Sequence, residues 1–478
     1  MYQPISQIKL RPYQEDAISG LRHAYRQGRR APCYVLPTGG GKSLVFCTIA
    51  RSAIEKGNRV FILVHRQELI RQTCDTLNEL QVPHGVIAAN HTMTTEKIQV
   101  CSVQTLVRRL PKFRAHPALI ILDEFHHARA GMWETIVNHF SGSRFMGCTA
   151  TPIRTDNRGL GMNAGGICDC LIEGPNIAEL ISEGYLSPVS VYAPPGGVNL
   201  DGVHRKFGDF DKKEVAARMD KPKIVGNAVQ HYLKICPHKP AICFTISIKF
   251  AERMAEEFRQ AGVPAASIDG KLTAFERQKR MDDLQSGAIK VLTSCELISE
   301  GVDCPKVACA ILLRPTQSLG LYLQQVGRAL RPYPGKERAI VLDHVGNSSR
   351  HGMPDDIRSW SLESGEVSSK KASEKLDPIR VCQKCFLVYK AILDRCPHCG
   401  AVYQLTPREI QEVEGELQEV QKRYEWRVQR REQGSAQSLE QLAAIGKARG
   451  YRSPKFWAMK VLEGRKKKVA LKEGKEIW

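Results

Sequence analysis

Three small groups of residues in this chain have the types and spacing to do chemistry. The run Pro37-Thr38-Gly39-Gly40-Gly41-Lys42-Ser43 joins flexible backbone to an amine and a hydroxyl. Asp123-Glu124 places adjacent carboxylates after the apolar run 118–122. Cys382, Cys385, Cys396 and Cys399 form two C-x2-C pairs, ten residues apart. The first two groups suit a nucleoside triphosphate with Mg2+. Glycines let backbone amides turn toward an anion, and a helix N-terminus adds positive potential. Lys42 is expected at the β- and γ-phosphates, and Ser43 and Asp123 at Mg2+. Glu124 is expected to orient or deprotonate the attacking water. Leu36 stands where the general G-x-x-x-x-G-K-[ST] pattern has its first glycine, which argues against many phosphate-loop families. A glycine turn or an acidic strand end is common without a ligand; the two together are not.

The cysteine pairs have zinc-ribbon spacing, and four thiolates complete a tetrahedral Zn2+ site. His398 lies inside the second pair and is not needed as a ligand. So short a module buries no useful core, so the metal supplies its folding energy. No ligand position is left open for catalysis, and a redox C-x2-C would sit at a strand–helix junction, which these do not. The module reads either as a structural clip or as a contact for nucleic acid or a partner.

These groups need a scaffold. Apolar, β-branched runs predict strands over 33–36, 60–64, 99–102, 119–122 and 144–148, with helices over 43–56, 68–79 and 133–140. A second alternating block has strands over 241–245, 266–268, 290–293, 308–313 and 339–342. Strand–helix alternation implies parallel sheets covered on both faces. The expected division is a first α/β domain at 1–190, a connection at 191–222 and a second domain at 223–350. A linker rich in Ser, Lys and Glu follows at 351–378, then the cysteine module at 379–404 and a basic helical tail at 405–478.

In that order, residues 8–345 resemble a superfamily 2 DExH-box helicase. Leu10-Arg11-Pro12-Tyr13-Gln14 resembles the Q-type motif, which implies adenine recognition by Gln14 with Arg11 beside it. Val64-His65-Arg66-Gln67-Glu68-Leu69 resembles motif Ia, and Ser102-Val103-Gln104-Thr105 motif Ib. Asp123-Glu124-Phe125-His126 is similar to the DExH box, and Thr149-Ala150-Thr151-Pro152 to motif III, implying that Thr149 and Thr151 couple hydrolysis to movement. Ile242-Cys243-Phe244-Thr245 sits where motif IV belongs, and Gly301-Val302-Asp303 closes a motif V. Gln324-Gln325-Val326-Gly327-Arg328-Ala329-Leu330-Arg331 resembles motif VI. The resemblance implies two tandem RecA-like domains around one nucleotide, with Gln324, Arg328 and Arg331 catalytic and Gly301 and Asp303 at the cofactor. It implies nucleic-acid contacts from His65, Arg66, Gln104, Thr105, Thr245 and Thr293. Motif V departs from the family pattern, with Cys295-Glu296 where Thr-Asp often stands. The stretch 153–188 is similar to a bacterial and phage branch that includes RadD-type repair helicases and Res-like restriction subunits. That branch implies an ATP-dependent DNA helicase or translocase in repair, recombination or phage replication. An RNA helicase and the motor or recruiting subunit of a larger complex are the alternatives.

The whole-chain composition fits a polyanionic partner. The formal charge is +20 over 478 residues, which favours DNA, or RNA, without specifying a fold. No apolar run approaches ~20 residues and the start has no basic-then-apolar leader, so the expected place is the cytoplasm of a bacterial or phage-infected cell. The other cysteines, Cys33, Cys47 and Cys243 among them, sit in apolar segments where a buried thiol is expected. In the tail, Thr406-Pro407-Arg408-Glu409 predicts a helix start, running to about 431. Two further helices are expected around Gly450-Tyr451-Arg452. Tyr451, Phe456 and Trp457 alternate with cations there and serve either as stacking platforms or as a small core.

Overall fold

The computed structural model describes residues 9–113, 116–125, 130–154, 158–194, 202–206, 209–219, 222–295, 304–363, 378–403, 433, 436, 438–449 and 453–472. The chain forms two units, Met1–Tyr403 and Gln404–Trp478. In the larger unit the strands make two parallel sheets whose inner strands are buried on both faces, which is why those read as unbroken apolar runs. Sheet one holds β1 (Pro32–Val35), β2 (Val60–Val64), β3 (His84–Ile87), β4 (Ile98–Ser102), β5 (Leu119–Asp123), β6 (Arg144–Thr149) and β7 (Cys170–Glu173). Their order is β3-β4-β2-β5-β6-β1-β7. Both chemical loops therefore leave central strands: the glycine run follows β1, and Asp123-Glu124 closes β5, with β6 between them.

Sheet two begins before the expected boundary. β8 (Val189–Tyr192) pairs in parallel with the last strand of the second block. The stretch expected as a connection holds a small hairpin, β9 (Arg205–Lys206) with β10 (Asp209–Phe210), and a helix at Lys212–Met219. Asp209 ties it to the second lobe by accepting from the Thr316 hydroxyl at 2.9 Å and the Gln317 amide at 2.7 Å. The other strands are β11 (Ala241–Thr245), β12 (Ala265–Ile268), β13 (Val291–Cys295), β14 (Cys309–Leu312) and β15 (Ala339–Asp343), in the order β12-β13-β11-β14-β15-β8. The expected linker is also ordered over its first part: the Leu362 carbonyl accepts from Gly161 of the first lobe at 2.7 Å. Residues 364–377 lie outside the described residues.

The cysteine module carries an antiparallel hairpin, β16 (Ile379–Val381) with β17 (Val388–Lys390). It is joined to lobe two: the Ala193 amide donates to the Phe386 carbonyl at 3.0 Å, and Tyr192 bridges Leu387 beyond β8. In the smaller unit, Ser438 starts the helix Leu439–Ala448 with a capping box to Gln441. The helix Pro454–Lys472 follows. Leu442, Ala436 and Ala458 are buried there with Trp457 against them, whereas Phe456 is 61% exposed. Trp457 thus belongs to a small core. The expected 406–431 helix, Tyr451 and Arg452 lie outside the described residues. No described helix is long and apolar enough to cross a membrane.

Candidate nucleotide cleft and metal centre

Local backbone builds the phosphate loop. Gly39 and Gly41 have φ of 90° and 87°, the left-handed region that glycine enters without strain. Gly41 caps the helix Lys42–Glu55, so Lys42 and Ser43 occupy its first turn. Leu36, the departure from the general pattern, is fully buried under the loop. A Cβ on Gly40 would stand 2.7 Å from its side chain. Leu36 fills core volume and leaves the turn to the later glycines.

The acidic pair is held against this loop. Lys42 Nζ donates to the Leu36 carbonyl at 3.2 Å and lies 4.0 Å from Glu124 Oε1, with both residues buried. Asp123 Oδ1 accepts from the Glu124 amide at 3.0 Å. Glu124 adopts φ 48°, an uncommon value for a residue with a side chain. That turn redirects the chain at the strand end, and nothing in the residue type announces it.

The second lobe closes the site with the helix Leu319–Leu330. Two glycines seven residues apart face the first lobe. A Cβ on Gly327 would stand 2.7 Å from the Thr38 Cβ, and one on Gly320 would stand 2.7 Å from the Thr151 hydroxyl. Backbone therefore approaches the phosphate loop and the Thr149–Thr151 turn directly. Arg328 is buried on this helix, and Arg331 caps its end with its stem over Gly39. Lys336 stands behind Arg331, outside the cleft wall. Its amine donates to the Arg331 and Val307 carbonyls, both at 2.6 Å, and burial with the Arg331 charge pushes its pKa down to about 7.

One cleft of about 860 Å³ is walled by Arg11, Thr38, Lys42, Ser43, Asp123 and Glu124 from lobe one and by Arg328 and Arg331 from lobe two. Arg277 of lobe two lies 3.3 Å from Glu68 of lobe one, and both line the cleft. The glycine cradle, buried amine and paired carboxylates are the donor set a Mg2+-nucleotide needs.

Other expected residues are placed differently. Gln14 is turned onto the loop, 3.4 and 3.3 Å from the Gly40 and Gly41 carbonyls, and is 1% exposed. Its place in the described arrangement is to support the loop, and it does not line the cleft; Arg11 does. Gln324 is buried on its helix, outside the cleft wall. Thr149 bonds with Thr151, donating to its carbonyl at 2.8 Å and accepting from its amide at 3.1 Å. The Thr149 carbonyl also takes the Leu36 amide at 3.1 Å, so this turn touches the phosphate loop and the second lobe together. His65 and Arg66 follow β2, and Gln104 reaches the His65 carbonyl at 3.3 Å, with Thr105 half-buried beside it. Thr245 and Thr293, expected at nucleic acid, are both fully buried in this arrangement. Thr293 donates to the Ala251 carbonyl at 2.7 Å, and Thr245 bonds to the Ser247 and Ser294 carbonyls at 3.2 Å. Both hydroxyls are thus used within the second lobe. Gly301, Asp303 and His126 lie outside the described residues.

The four ribbon thiols lie within 4.8 Å of one another, with Cys382–Cys399 and Cys385–Cys396 each 3.6 Å apart. A tetrahedral Zn–S4 centre with bonds of about 2.3 Å needs sulfurs roughly 3.8 Å apart, so the set fits zinc. Phe386 and Gly400, each directly after a C-x2-C pair, share left-handed φ values of 65° and 70°. The lobe cysteines are different. Burial, then the nearby Asp123 charge, raises the Cys47 and Cys148 thiols well above their usual range, and they are packing groups.

Residues 7–154 match the family model described as type III restriction enzyme, res subunit, and residues 225–333 match the helicase conserved C-terminal domain. A 51.5 kDa protein of a Lactococcus phage (isolate 7-9) is 34% identical over 387 residues, covering 81% of each chain. The putative ATP-dependent helicase IRC3 of Saccharomyces cerevisiae is 29% identical over 71% of this chain. The match spans 52% of that protein, so this chain accounts for about half its length. Among solved structures, a fragment of a putative HsdR subunit of a type I restriction enzyme from Vibrio vulnificus YJ016 superposes with TM-score 0.57 at 21% identity. It covers 73% of this chain and 68% of that one, a likeness of fold.

Proposed function

Because the chain belongs to the superfamily 2 helicases of the Res-like type, we propose that it is an ATP-dependent DNA helicase or translocase. The observation that carries this reading is a cleft walled by Lys42, Asp123 and Glu124 on one side and by Arg328 and Arg331 on the other. Lys42 holds the β- and γ-phosphates and Glu124 orients the attacking water. Ser43 and Asp123 would hold Mg2+, which supplies charge neutralisation on the phosphates. Arg328 and Arg331 stabilise charge that develops on the transferred phosphoryl group. With hydrolysis, the ligand bridging both lobes is lost, so the lobes part and shift a strand bound across them. Cys382, Cys385, Cys396 and Cys399 hold a structural Zn2+ in the same reading.

A DNA substrate is supported by the +20 charge and by kinship with restriction subunits, which belong to DNA enzymes. The restriction kinship also favours a second reading, a motor that works beside other chains. ATP turnover measured with single-stranded DNA, forked DNA, duplex and RNA decides between them, followed by strand displacement on the best substrate. Stimulation by DNA above RNA is the expected result. Stimulation by RNA alone would make this an RNA helicase, and no stimulation by any nucleic acid would favour the partner-dependent motor.

A further inference from the structure

The segment 352–363 leaves lobe two and docks on lobe one. Its root is a compact turn. The Arg358 guanidinium donates to four carbonyls, those of His351, Met353, Pro354 and Asp356, at 2.7–3.1 Å. The Gly352 carbonyl accepts from the fully buried Tyr322 hydroxyl at 3.2 Å. Tyr322 lies on the helix that also carries Arg328, so the root rides on the arginine-bearing element.

The far end is equally built. The Gly161 amide donates to the Leu362 carbonyl at 2.7 Å, and Asn163 reaches Glu363 at 3.3 Å. Trp360 and Leu362 pack against the lobe-one cluster that includes Leu160 and Cys168. A Cβ on Gly159 would stand 2.1 Å from the Leu362 carbonyl oxygen, and one on Gly161 2.7 Å. Only glycine admits this backbone. Gly159 and Gly161 of the receiving turn lie eight and ten residues beyond Thr151, a residue of the turn that touches both the phosphate loop and Gly320.

We propose that residues 352–363 are a tether that positions the two lobes over the nucleotide and passes the movement of the arginine helix to the segment behind Thr149–Thr151. The proposal rests on the helicase reading above. Strain transmitted this way needs a connection with two anchored ends, and both ends are anchored by named bonds. Trp360, Leu362 and Gly161 are positioning residues and touch no phosphate.

The test uses the full chain with Gly161→Ala and, separately, Trp360→Ala. Each is compared with wild type for ATP KM, turnover without nucleic acid, turnover with single-stranded DNA, and amide hydrogen exchange. The expected result is faster exchange confined to 158–168 and 352–363, with the β1 and β5 amides as protected as in wild type. Turnover without DNA stays within about twofold, while the stimulation by DNA falls about 2- to 30-fold, the range for mutations along a coupling element. Two results overturn the tether: exchange that rises locally while stimulation stays at the wild-type ratio, or exchange that does not change at all in either variant. If Gly161→Ala is globally unprotected, Trp360→Ala, at a half-buried surface position, decides alone. A wild-type chain that no nucleic acid stimulates would defeat the helicase reading instead, which is a separate result.

Discussion

The nucleotide cleft and the cysteine module both gather polar groups in a small space, by opposite means. In the cleft, Lys42, Asp123 and Glu124 converge because two buried strands, separated by one other, end at the same edge of a sheet and a large core fixes their positions. In the module, four thiols converge on about two dozen residues that have little core of their own. The cleft is organised by folding, before any nucleotide or metal is bound. On the zinc reading proposed above, the module would need its metal to be organised at all. Damage in the cleft should therefore remove chemistry and leave the fold, while damage in the module should remove local fold and leave chemistry.

The sharpest break with that contrast would come from the cleft itself. Lys42→Ala or Glu124→Gln is expected to lower ATP turnover by at least about 10²- to 10³-fold with an unchanged circular dichroism spectrum; near-wild-type phosphate release would remove the nucleotide assignment. Arg331→Ala is expected to cost about 10³-fold, in kcat more than in KM, as for an arginine that meets charge only in the transition state. Gly327→Ala tests whether lobe spacing matters as much as charge. Its Cβ would press on Thr38, and a misplacement near 1 Å is worth up to about 100-fold. A variant as active as wild type would show that the approach of this helix is not limiting.

On the module's side, Cys385→Ser should abolish zinc in elemental analysis and expose the 378–403 segment to protease, with DNA-free turnover within about twofold of wild type. Stoichiometric zinc in that variant would place the metal elsewhere. The smallest effect concerns the joint between ribbon and lobe two. His344 stacks on His231, 5.2 Å away, and the Phe386 ring lies 5.6 Å from His231. Burial, then the neighbouring His231, pushes the His344 pKa down to about 3. A histidine near 6.5 when unfolded and near 3 when folded contributes stability fully present above about pH 6.5 and lost as pH falls toward 3. Melting temperature should fall from pH 7 to pH 5 and fall less in His344→Asn; parallel slopes would exclude His344 as the source.

Much of the cleft was legible because its chemistry sits at ends of strands buried on both faces. The run 118–122 ahead of Asp123-Glu124 could hardly be read otherwise, and Lys42-Ser43 behind glycines marks a strand-to-helix turn. The missed pieces had weak local signals. β3 and β7 are four residues each and only partly buried. Thr245 and Thr293 were expected at nucleic acid through the resemblance alone, and the sequence did not show that their hydroxyls bond nearby carbonyls. The tether hides because Trp360 and Leu362 stand alone among Ser and Glu with no period. Gly320 and Gly327 gave no signal without the partner surface they approach. The bend at Glu124 is imposed by its surroundings, since glutamate has no preference for positive φ.

Because β8 begins at Val189 and flanks β15, any attempt to express the second lobe from residue 223 onward would strip the outermost strand of its sheet. The bare backbone of β15 would invite pairing with other copies, and the ribbon would lose the strand end that receives it. A recombinant fragment meant to behave as a monomer should start ahead of Ser187, whose amide already bonds the Leu330 carbonyl at 2.7 Å.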